Sequence, residues 1–326
     1  MSKQSQERHR RKLEYFELLR DTAEAVDPYV MQFILNNSQL NPKLKEACIS
    51  RYRFGKPQLR PLQVRLAYEL VLGKDWKEAI SACASVEVKD TGYYCYDEVF
   101  DTSGNPGLIL LGGVLSTVSY SMIGDLFSSH SPQQVQQVLQ EICNLDLNNA
   151  HGARIDLRLN KSNRELYLQK AKGYNFWEQA LRIGGILGGA SQSHIDRLGQ
   201  AGQKIGIAHI IANDTWDFGK SLEDFRAGKY TLPIIWAFEQ TTEADRKLLE
   251  SLLGKKDLTE EETDKIRRIM VRSGSIEYGK SKAREYCNEG LEFLCSFPDS
   301  PQRRMLEFAT TWTQRNKYYQ YLEQFK

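Results

Sequence analysis

The sequence predicts an all-α fold, a single helical bundle, from three observations. Apolar residues recur at helical spacing over most of the 326 residues. Residues that cap helices stand where helices would begin, as in Ser131-Pro132 and in the capping box from Thr259 to Glu262. No segment alternates like a strand, and no repeat or long linker divides the chain. We therefore expect one all-α domain at residues 41–326, with residues 1–40 as an N-terminal helical segment of that same domain.

The expected helices follow one another closely along the chain. Pro28 and Pro42 are expected to punctuate the N-terminal region, whereas Pro61 fits the first turn of a helix. Gly274 is expected to separate two helices near the C-terminus. The apolar stretch 108–127 predicts a buried central helix. The expected bounds are 8–36, 61–73, 76–101, 108–127, 131–157, 161–189, 193–219, a helix opening at 259, 275–297 and 300–321.

Charge, hydropathy and cysteine usage exclude several classes of protein. The formal net charge of +2 gives no bulk attraction to nucleic acid. The mean hydropathy of −0.52, with no apolar run near 18 residues and no apolar N-terminal segment, predicts neither a membrane span nor a secretory signal. Six cysteines without CxxC spacing indicate free thiols in a reducing compartment. We therefore expect a cytoplasmic, soluble protein.

Two acidic clusters with the same i, i+1, i+4 spacing are the main candidates for chemistry. This spacing brings at least the first and last members to one helix face. Oxygen-bearing side chains suit Mg²⁺, which shares them with a substrate's phosphates. If the fold brings the clusters together, two or three Mg²⁺ ions would bridge them through a diphosphate. The candidate metal ligands are Asp97, Glu98, Asp101, Asn213, Asp214 and Asp217.

Lysines and aromatic residues near these clusters indicate what would be bound. Lys172, Lys220 and Lys229 are candidates for holding a diphosphate. Aromatic faces such as those of Phe176 and Trp216 would stabilise a carbocation. The implied reaction is metal-assisted ionisation of an allylic diphosphate, followed by capture of the cation.

Motifs in a fixed order resemble those of the trans-prenyl diphosphate synthase (polyprenyl synthetase) family, over roughly residues 50–320. The two acidic clusters resemble its first and second DDxxD motifs. Lys172 falls at the lysine of its KT pair. The other matching segments are Gly55–Pro61 (GGKxxRP), Val86-Glu87, Gly152–Leu157 (GQxxDL), Gly184–Gly189, Gly228–Pro233 and Phe297–Ser300 (LPxS).

This resemblance implies a class I isoprenoid synthase fold with a central cavity, Mg²⁺ as cofactor, an allylic prenyl diphosphate as substrate and a homodimer. It implies catalytic roles for Asp97, Asp101, Asp217 and Lys172. It also implies that the substrate diphosphate is bound by Lys172, Lys220, Lys229 and Arg60.

The sequence departs from the family where isopentenyl diphosphate, the usual acceptor, is bound. The family's acceptor lysine falls on Pro57 and its histidine on Asp90, and the segment 101–106 lacks both arginines of the family's loop. Loss of these charge-assisted contacts predicts a degraded acceptor site and a non-standard acceptor. Near the second motif, Ile210 replaces a glutamine, and the segment before Lys220 is shortened.

Two alternatives to transfer remain open. The first is a terpene synthase (cyclase) acting on one allylic diphosphate, for which Asn213, Asp217 and Ser221 offer a metal triad at i, i+4, i+8. The second is a non-catalytic subunit of a heteromeric prenyl synthase.

The resemblance also implies where the prenyl chain would end. In the family a bulky residue four positions before the first motif forms the floor of the pocket for the prenyl chain, and in this sequence that position is Tyr93.

Overall fold

The computed structural model describes the backbone at residues 3–55, 58–72, 75–102, 104–158 and 163–312. Within these ranges the protein is helical and contains no strand, so the all-α prediction is confirmed. The helices are α1 Lys3–Asn36, α2 Pro42–Arg51, α3 Leu59–Leu72, α4 Ile80–Thr102, α5 Gly107–Ile123, α6 Pro132–Arg158, α7 Arg164–Gly173, α8 Phe176–Leu187, α9 Gln192–Asp217, α10 Glu223–Arg226, α11 Leu232–Gln240, α12 Glu243–Leu252, α13 Glu260–Arg272, α14 Ser275–Leu294 and α15 Pro301–Trp312, with 3₁₀ helices at Trp76–Ala79 and Gly124–Ser128.

Local capping explains several of these bounds. The Thr259 hydroxyl accepts the Glu262 N–H at 3.2 Å, and the Glu262 carboxylate accepts the Thr259 N–H at 2.9 Å, so the predicted capping box starts α13. Gly274, with a φ of 73°, stands between α13 and α14 as expected. Asn41 caps α2 by accepting the Leu44 N–H at 3.0 Å.

Two boundary predictions are wrong. α1 includes the whole expected range 8–36, but Pro28 does not punctuate it, because the neighbouring Val26 and Val30 are fully buried and their packing outweighs one missing hydrogen bond. The helix expected at 161–189 is two helices, α7 and α8, separated at residues 174 and 175. Asn175 leaves the helical pattern there, and its side-chain Nδ2 donates to the Gln203 carbonyl at 3.0 Å.

The expected burial of the apolar stretch 108–127 is also wrong. Leu110 is 73% exposed and Phe127 is 61% exposed, so one side of this stretch carries apolar residues on the surface. By length and composition alone, the described segment Gly107–Ser128 qualifies as a membrane span, although only about a third of it is buried.

Contacts group the chain into two compact units, and the first consists of Met1–Asp146, Phe176–Gly202 and Phe293–Ala309. In this unit α4 packs against α1, α3 and α5, and α3 also packs on α8. The α3–α8 contact needs Gly184, because a Cβ there would lie 2.3 Å from the Val64 carbonyl oxygen. α4, which carries the first acidic cluster, is therefore held on several sides. α1 belongs to this unit, and the boundary at residue 40 stays a prediction.

The second unit consists of Leu147–Asn175, Gln203–Glu292 and Thr310–Lys326. Two glycines position α9, which carries the second acidic cluster. A Cβ at Gly279 of α14 would lie 2.3 Å from the Thr215 hydroxyl oxygen, and one at Gly206 would lie 1.8 Å from Asn175 Oδ1. α14 and the α7–α8 connection therefore approach α9 more closely than any larger residue would permit.

Candidate active site

The first acidic cluster lies near the C-terminal end of α4. Asp97 and Glu98 are exposed, and Arg51 Nη2 lies 2.8 Å from Glu98 Oε2. Asp101 lies in the last turn of α4, and its side chain falls outside the described residues. Carboxylates at the surface of a buried helix can contact a ligand without disturbing the core.

Two turns earlier on α4, Asp90 forms an ion pair with Arg60. Arg60 Nε lies 3.6 Å from Asp90 Oδ1, and its guanidinium carbon lies 4.9 Å from the centre of the Phe176 ring. Burial, and then the charge of Asp90, raise the pKa of neighbouring Glu87 to about 8. Arg60, which was predicted to bind diphosphate, is therefore partly neutralised by the residue that replaces the family's histidine.

The second acidic cluster ends α9 in the other unit. Asn213 is exposed, whereas Asp214 is 7% and Asp217 is 8% exposed. Tyr167 donates its hydroxyl hydrogen to Asp214 at 2.7 Å. Burial raises the pKa of Asp214 to about 7, and Asp224 adds to the rise while Lys170 opposes it. Asn213 and Asp217, expected on one face, thus differ in exposure.

Asp217 also organises the chain that follows α9. Its carboxylate accepts the N–H groups of Glu223 at 3.0 Å and Asp224 at 3.2 Å, and the Ser221 hydroxyl at 3.3 Å. These bonds hold the start of α10, where Leu222 adopts a left-handed φ of 54°. Burial, and then Asp224, raise the pKa of Asp217 to about 6 in spite of the hydrogen bonds.

The lysine beside the second cluster is Lys170, which sequence reasoning missed. Its Nζ donates to Asp156 Oδ1 at 3.0 Å, and it is 5% exposed. Burial alone would lower its pKa, but the charges of Asp214 and Asp156 outweigh burial and raise it. Lys172 is exposed in the last turn of α7. A signal was available, because Lys170 follows Tyr167 by three residues and so shares its helix face.

The two other predicted lysines lie near α10. Lys229 Nζ lies 3.8 Å from Asp224 Oδ1, in the segment between α10 and α11. Lys220 has an exposed side chain, and its carbonyl accepts from Arg267 Nη2 at 3.4 Å. Of the two, only Lys229 has its ammonium group beside a carboxylate of this cluster in the described contacts.

The donor set fits a hard divalent cation, although no group of three His, Cys, Asp or Glu side chains converges at metal-binding distance within the described part of the chain. Burial first, and then the charge of Asp224, raise the pKa values of Asp214 and Asp217. All are oxygen donors, as Mg²⁺ prefers. Mg²⁺ would be held by these residues of the second unit, and Asp97 and Glu98 of α4 remain the other predicted ligands.

Comparison with known proteins gives concordant results. The family model described as polyprenyl synthetase matches residues 42–270. The geranylgeranyl diphosphate synthase of Methanosarcina mazei is 27% identical over 278 residues, which cover 77% of this chain and 83% of that protein. The short chain isoprenyl diphosphate synthase of Methanothermobacter thermautotrophicus is 26% identical over 322 residues, which cover 90% and 96%. The solved geranylgeranyl pyrophosphate synthetase from Pyrococcus horikoshii aligns with a TM-score of 0.84 at 23% identity, covering 94% and 99% of the two chains.

Proposed function

We propose a function for this chain from the premise that it belongs to the polyprenyl synthetase family. It is a prenyltransferase with the class I isoprenoid synthase fold. Our proposal is that it ionises an allylic prenyl diphosphate with the help of Mg²⁺ and transfers the prenyl group to an acceptor other than isopentenyl diphosphate.

The carboxylates of α9 and α10 carry the first half of this proposal. Asp214 and Asp217 are buried near Asp224, and Lys170 is a buried cation among them. A site with this excess of negative charge is stabilised by a divalent cation. When bound, Mg²⁺ would neutralise the charge that develops on the departing diphosphate. Lys170 offsets part of the negative charge of these carboxylates through its ion pair with Asp156 at 3.0 Å.

The ion pair between Arg60 and Asp90 supports the second half. An acceptor carrying a diphosphate needs cationic groups that are not already neutralised. Arg60 shares its charge with Asp90 at 3.6 Å, and Pro57 and Asp90 stand where the family has a lysine and a histidine. The relatives' names support a prenyl diphosphate as the allylic substrate, since they are geranylgeranyl and short-chain isoprenyl diphosphate synthases.

Product analysis tests both halves at once. The protein is incubated with Mg²⁺ and geranyl, farnesyl or geranylgeranyl diphosphate, with and without isopentenyl diphosphate. We expect diphosphate release that depends on Mg²⁺ and is not increased by isopentenyl diphosphate. Longer prenyl diphosphates formed only with isopentenyl diphosphate would overturn the acceptor proposal. Inertness toward all three allylic substrates, when an indole or an alcohol is also supplied as acceptor, would overturn the ionisation proposal.

Cyclisation of one allylic diphosphate is a second candidate, favoured by the contact between Ser221 and Asp217. The Ser221 hydroxyl lies 3.3 Å from Asp217 Oδ1, so two members of the predicted i, i+4, i+8 triad are adjacent. A cyclase would yield hydrocarbon or alcohol from the allylic substrate alone. Ser221→Ala would lower that yield while the Tm measured without Mg²⁺ stays nearly unchanged.

We also propose that the chain forms a homodimer through the exposed apolar side of α5 and the segment after it. Leu110 and Phe127 are large apolar residues at the surface of the first unit, and Leu139 of α6 is 41% exposed. Light scattering is expected to give twice the chain mass for the wild type and the monomer mass for Leu110→Glu/Phe127→Glu. Binding of the wild-type monomer to vesicles instead would assign the surface to a membrane. The six cysteines, which form no disulfide with one another, support a cytoplasmic location.

A further inference from the structure

One face of α4 carries a longer acidic stripe than the proposed ionisation uses. Glu87, Asp90, Tyr94, Asp97 and Asp101 follow at i, i+3, i+7, i+10 and i+14, so they lie along one side of the helix. The last two belong to the first acidic cluster. Asp90 lies about 10 Å below Asp97 at 1.5 Å per residue. The lower half of the stripe therefore lies within one small molecule's length of the allylic site.

A buried acceptor atom without a partner lies beside this lower half. Gln58 is 1% exposed, and its Nε2 donates to Asp27 Oδ1 and, at 2.9 Å, to the Tyr52 hydroxyl. The amide orientation is fixed because an ionised carboxylate can only accept. The other end of this amide, Oε1, is buried and has no hydrogen-bond partner among the residues that the structure describes. Asp27 and Glu87 are close enough to raise the pKa of Tyr52 together, so these groups form one cluster.

The charges of this cluster do not suit a diphosphate. Its acids are Asp27, Glu87 and Asp90, and the cations that act on it are Arg60 and Arg53. Arg60 is paired with Asp90, and the Arg53 guanidinium carbon lies 3.9 Å from the centre of the Tyr94 ring. Among the described residues, these contacts leave no surplus positive charge to balance a trianion. The hydrogen-bonding capacity that remains is mainly that of acceptors, namely the carboxylate oxygens of Asp90, those of Glu87 once it is ionised, and Gln58 Oε1.

We infer that this cluster, formed by Asp27, Gln58, Glu87 and Asp90, is an acceptor subsite for a nucleophile that donates hydrogen bonds through a hydroxyl or amino group. The inference rests on the proposed function, because it names the acceptor class of that reaction. The rings of Tyr94 and Phe176, which contact Arg53 and Arg60, offer an apolar wall for the acceptor's hydrocarbon part.

The transfer step balances without another reactant. The bond between C1 of the prenyl chain and the bridging oxygen breaks, and its electron pair leaves on the diphosphate. A lone pair of the acceptor oxygen or nitrogen forms the new bond to C1. The proton released from that atom passes to the Glu87 carboxylate, and from there to solvent.

Head-group selectivity tests the inference with ligands that share one tail. Calorimetry compares 3-methylbut-3-en-1-ol and 3-methylbut-3-en-1-amine with isopentenyl diphosphate, on full-length protein whose allylic position is filled by Mg²⁺ and the unreactive geranyl thiolodiphosphate. We expect the alcohol or the amine to bind the wild type at least tenfold more tightly than the diphosphate does. In Glu87→Gln/Asp90→Asn this preference is expected to fall at least tenfold. The variant lacks both carboxylates, and Arg60 loses its ion-pair partner and can attract a diphosphate.

The control is Asp125→Asn, which removes a carboxylate that accepts the Tyr29 hydroxyl elsewhere in the same unit. It is expected to leave all three affinities unchanged. Tighter binding of isopentenyl diphosphate to the wild type would overturn the inference, as would an unchanged preference in the double variant. Diphosphate release from geranylgeranyl diphosphate is measured separately, so failure of ionisation is distinguished from failure of acceptor selectivity.

Discussion

Replacing Asp217 by asparagine should stabilise the metal-free protein while it abolishes metal-dependent turnover. Asp217 is 8% exposed, and its pKa rises from the ordinary 3.8 to about 6 through burial and the nearby Asp224. A carboxyl group whose pKa is higher in the folded than in the unfolded state favours folding below pH 4, and that contribution is lost as the pH rises through about 6. At pH 8 without metal, the ionised group therefore costs stability.

The size of this effect can be worked from the same contacts. The rise in pKa from 3.8 to about 6 corresponds to about 3 kcal/mol of lost stability at pH 8. Asparagine keeps one acceptor oxygen, so one of the N–H bonds from Glu223 and Asp224 is lost, which costs about 1 kcal/mol. The net gain is about 2 kcal/mol, or a rise in Tm of roughly 3 °C for a chain of 326 residues.

Thermal unfolding followed by circular dichroism measures this gain, with EDTA and then with excess Mg²⁺. We expect Mg²⁺ to raise the Tm of the wild type and to have much less effect on Asp217→Asn, because a proposed ligand charge is gone. Asp257→Asn, at an exposed carboxylate of the same unit, is the matched control and should change neither value. A lower Tm of Asp217→Asn in EDTA at pH 8 would refute the reasoning, and so would an undiminished response to Mg²⁺.

Three further predictions follow from individual contacts. Asp97→Ala should abolish diphosphate release from an allylic substrate with little change in Tm, because Asp97 is exposed; near-full activity would contradict its metal role. Lys170→Met should destabilise the protein by about 3 kcal/mol in urea unfolding, because Asp156 loses its ammonium partner, and an unchanged midpoint would contradict the buried ion pair. Gly206→Ala should cost at least about 2 kcal/mol, because its Cβ would lie 1.8 Å from Asn175 Oδ1, whereas a wild-type Tm would show that the contact relaxes freely.

Sequence patterns predicted the helices best where local chemistry decides the outcome. The capping box at Thr259 and the break at Gly274 depend only on residues within one turn, and both are confirmed. The passage of α1 through Pro28 depends on buried neighbours that the local pattern does not reveal. The exposure of Leu110 likewise depends on what packs against α5. An apolar sequence does not reveal whether another helix covers it.

The candidate site shows the same division between local and tertiary information. The spacing of each acidic cluster follows from the sequence, but the choice between Lys170 and Lys172 does not, because two residues apart on a helix point to nearly opposite sides. The structure shows Lys170 buried beside Asp156, whereas Lys172 is exposed. The pairing of Arg60 with Asp90 joins α3 to α4 over 30 residues, and only the fold brings those side chains together.

Charge balance separates the two groups of carboxylates that these helices carry. Burial is the main cause of the raised pKa values of Asp214 and Asp217, and the charge of Asp224 adds to it. A divalent cation would favour the ionised form of both carboxylates. Around Asp90 the guanidinium of Arg60, 3.6 Å away, offsets the negative charge. A metal with its diphosphate is therefore favoured at Asp214 and Asp217. At Asp90 the charge is nearly balanced, and the neighbouring Gln58 Oε1 has no partner among the described residues. A neutral hydrogen-bond donor therefore suits that site better than either a metal or a second diphosphate.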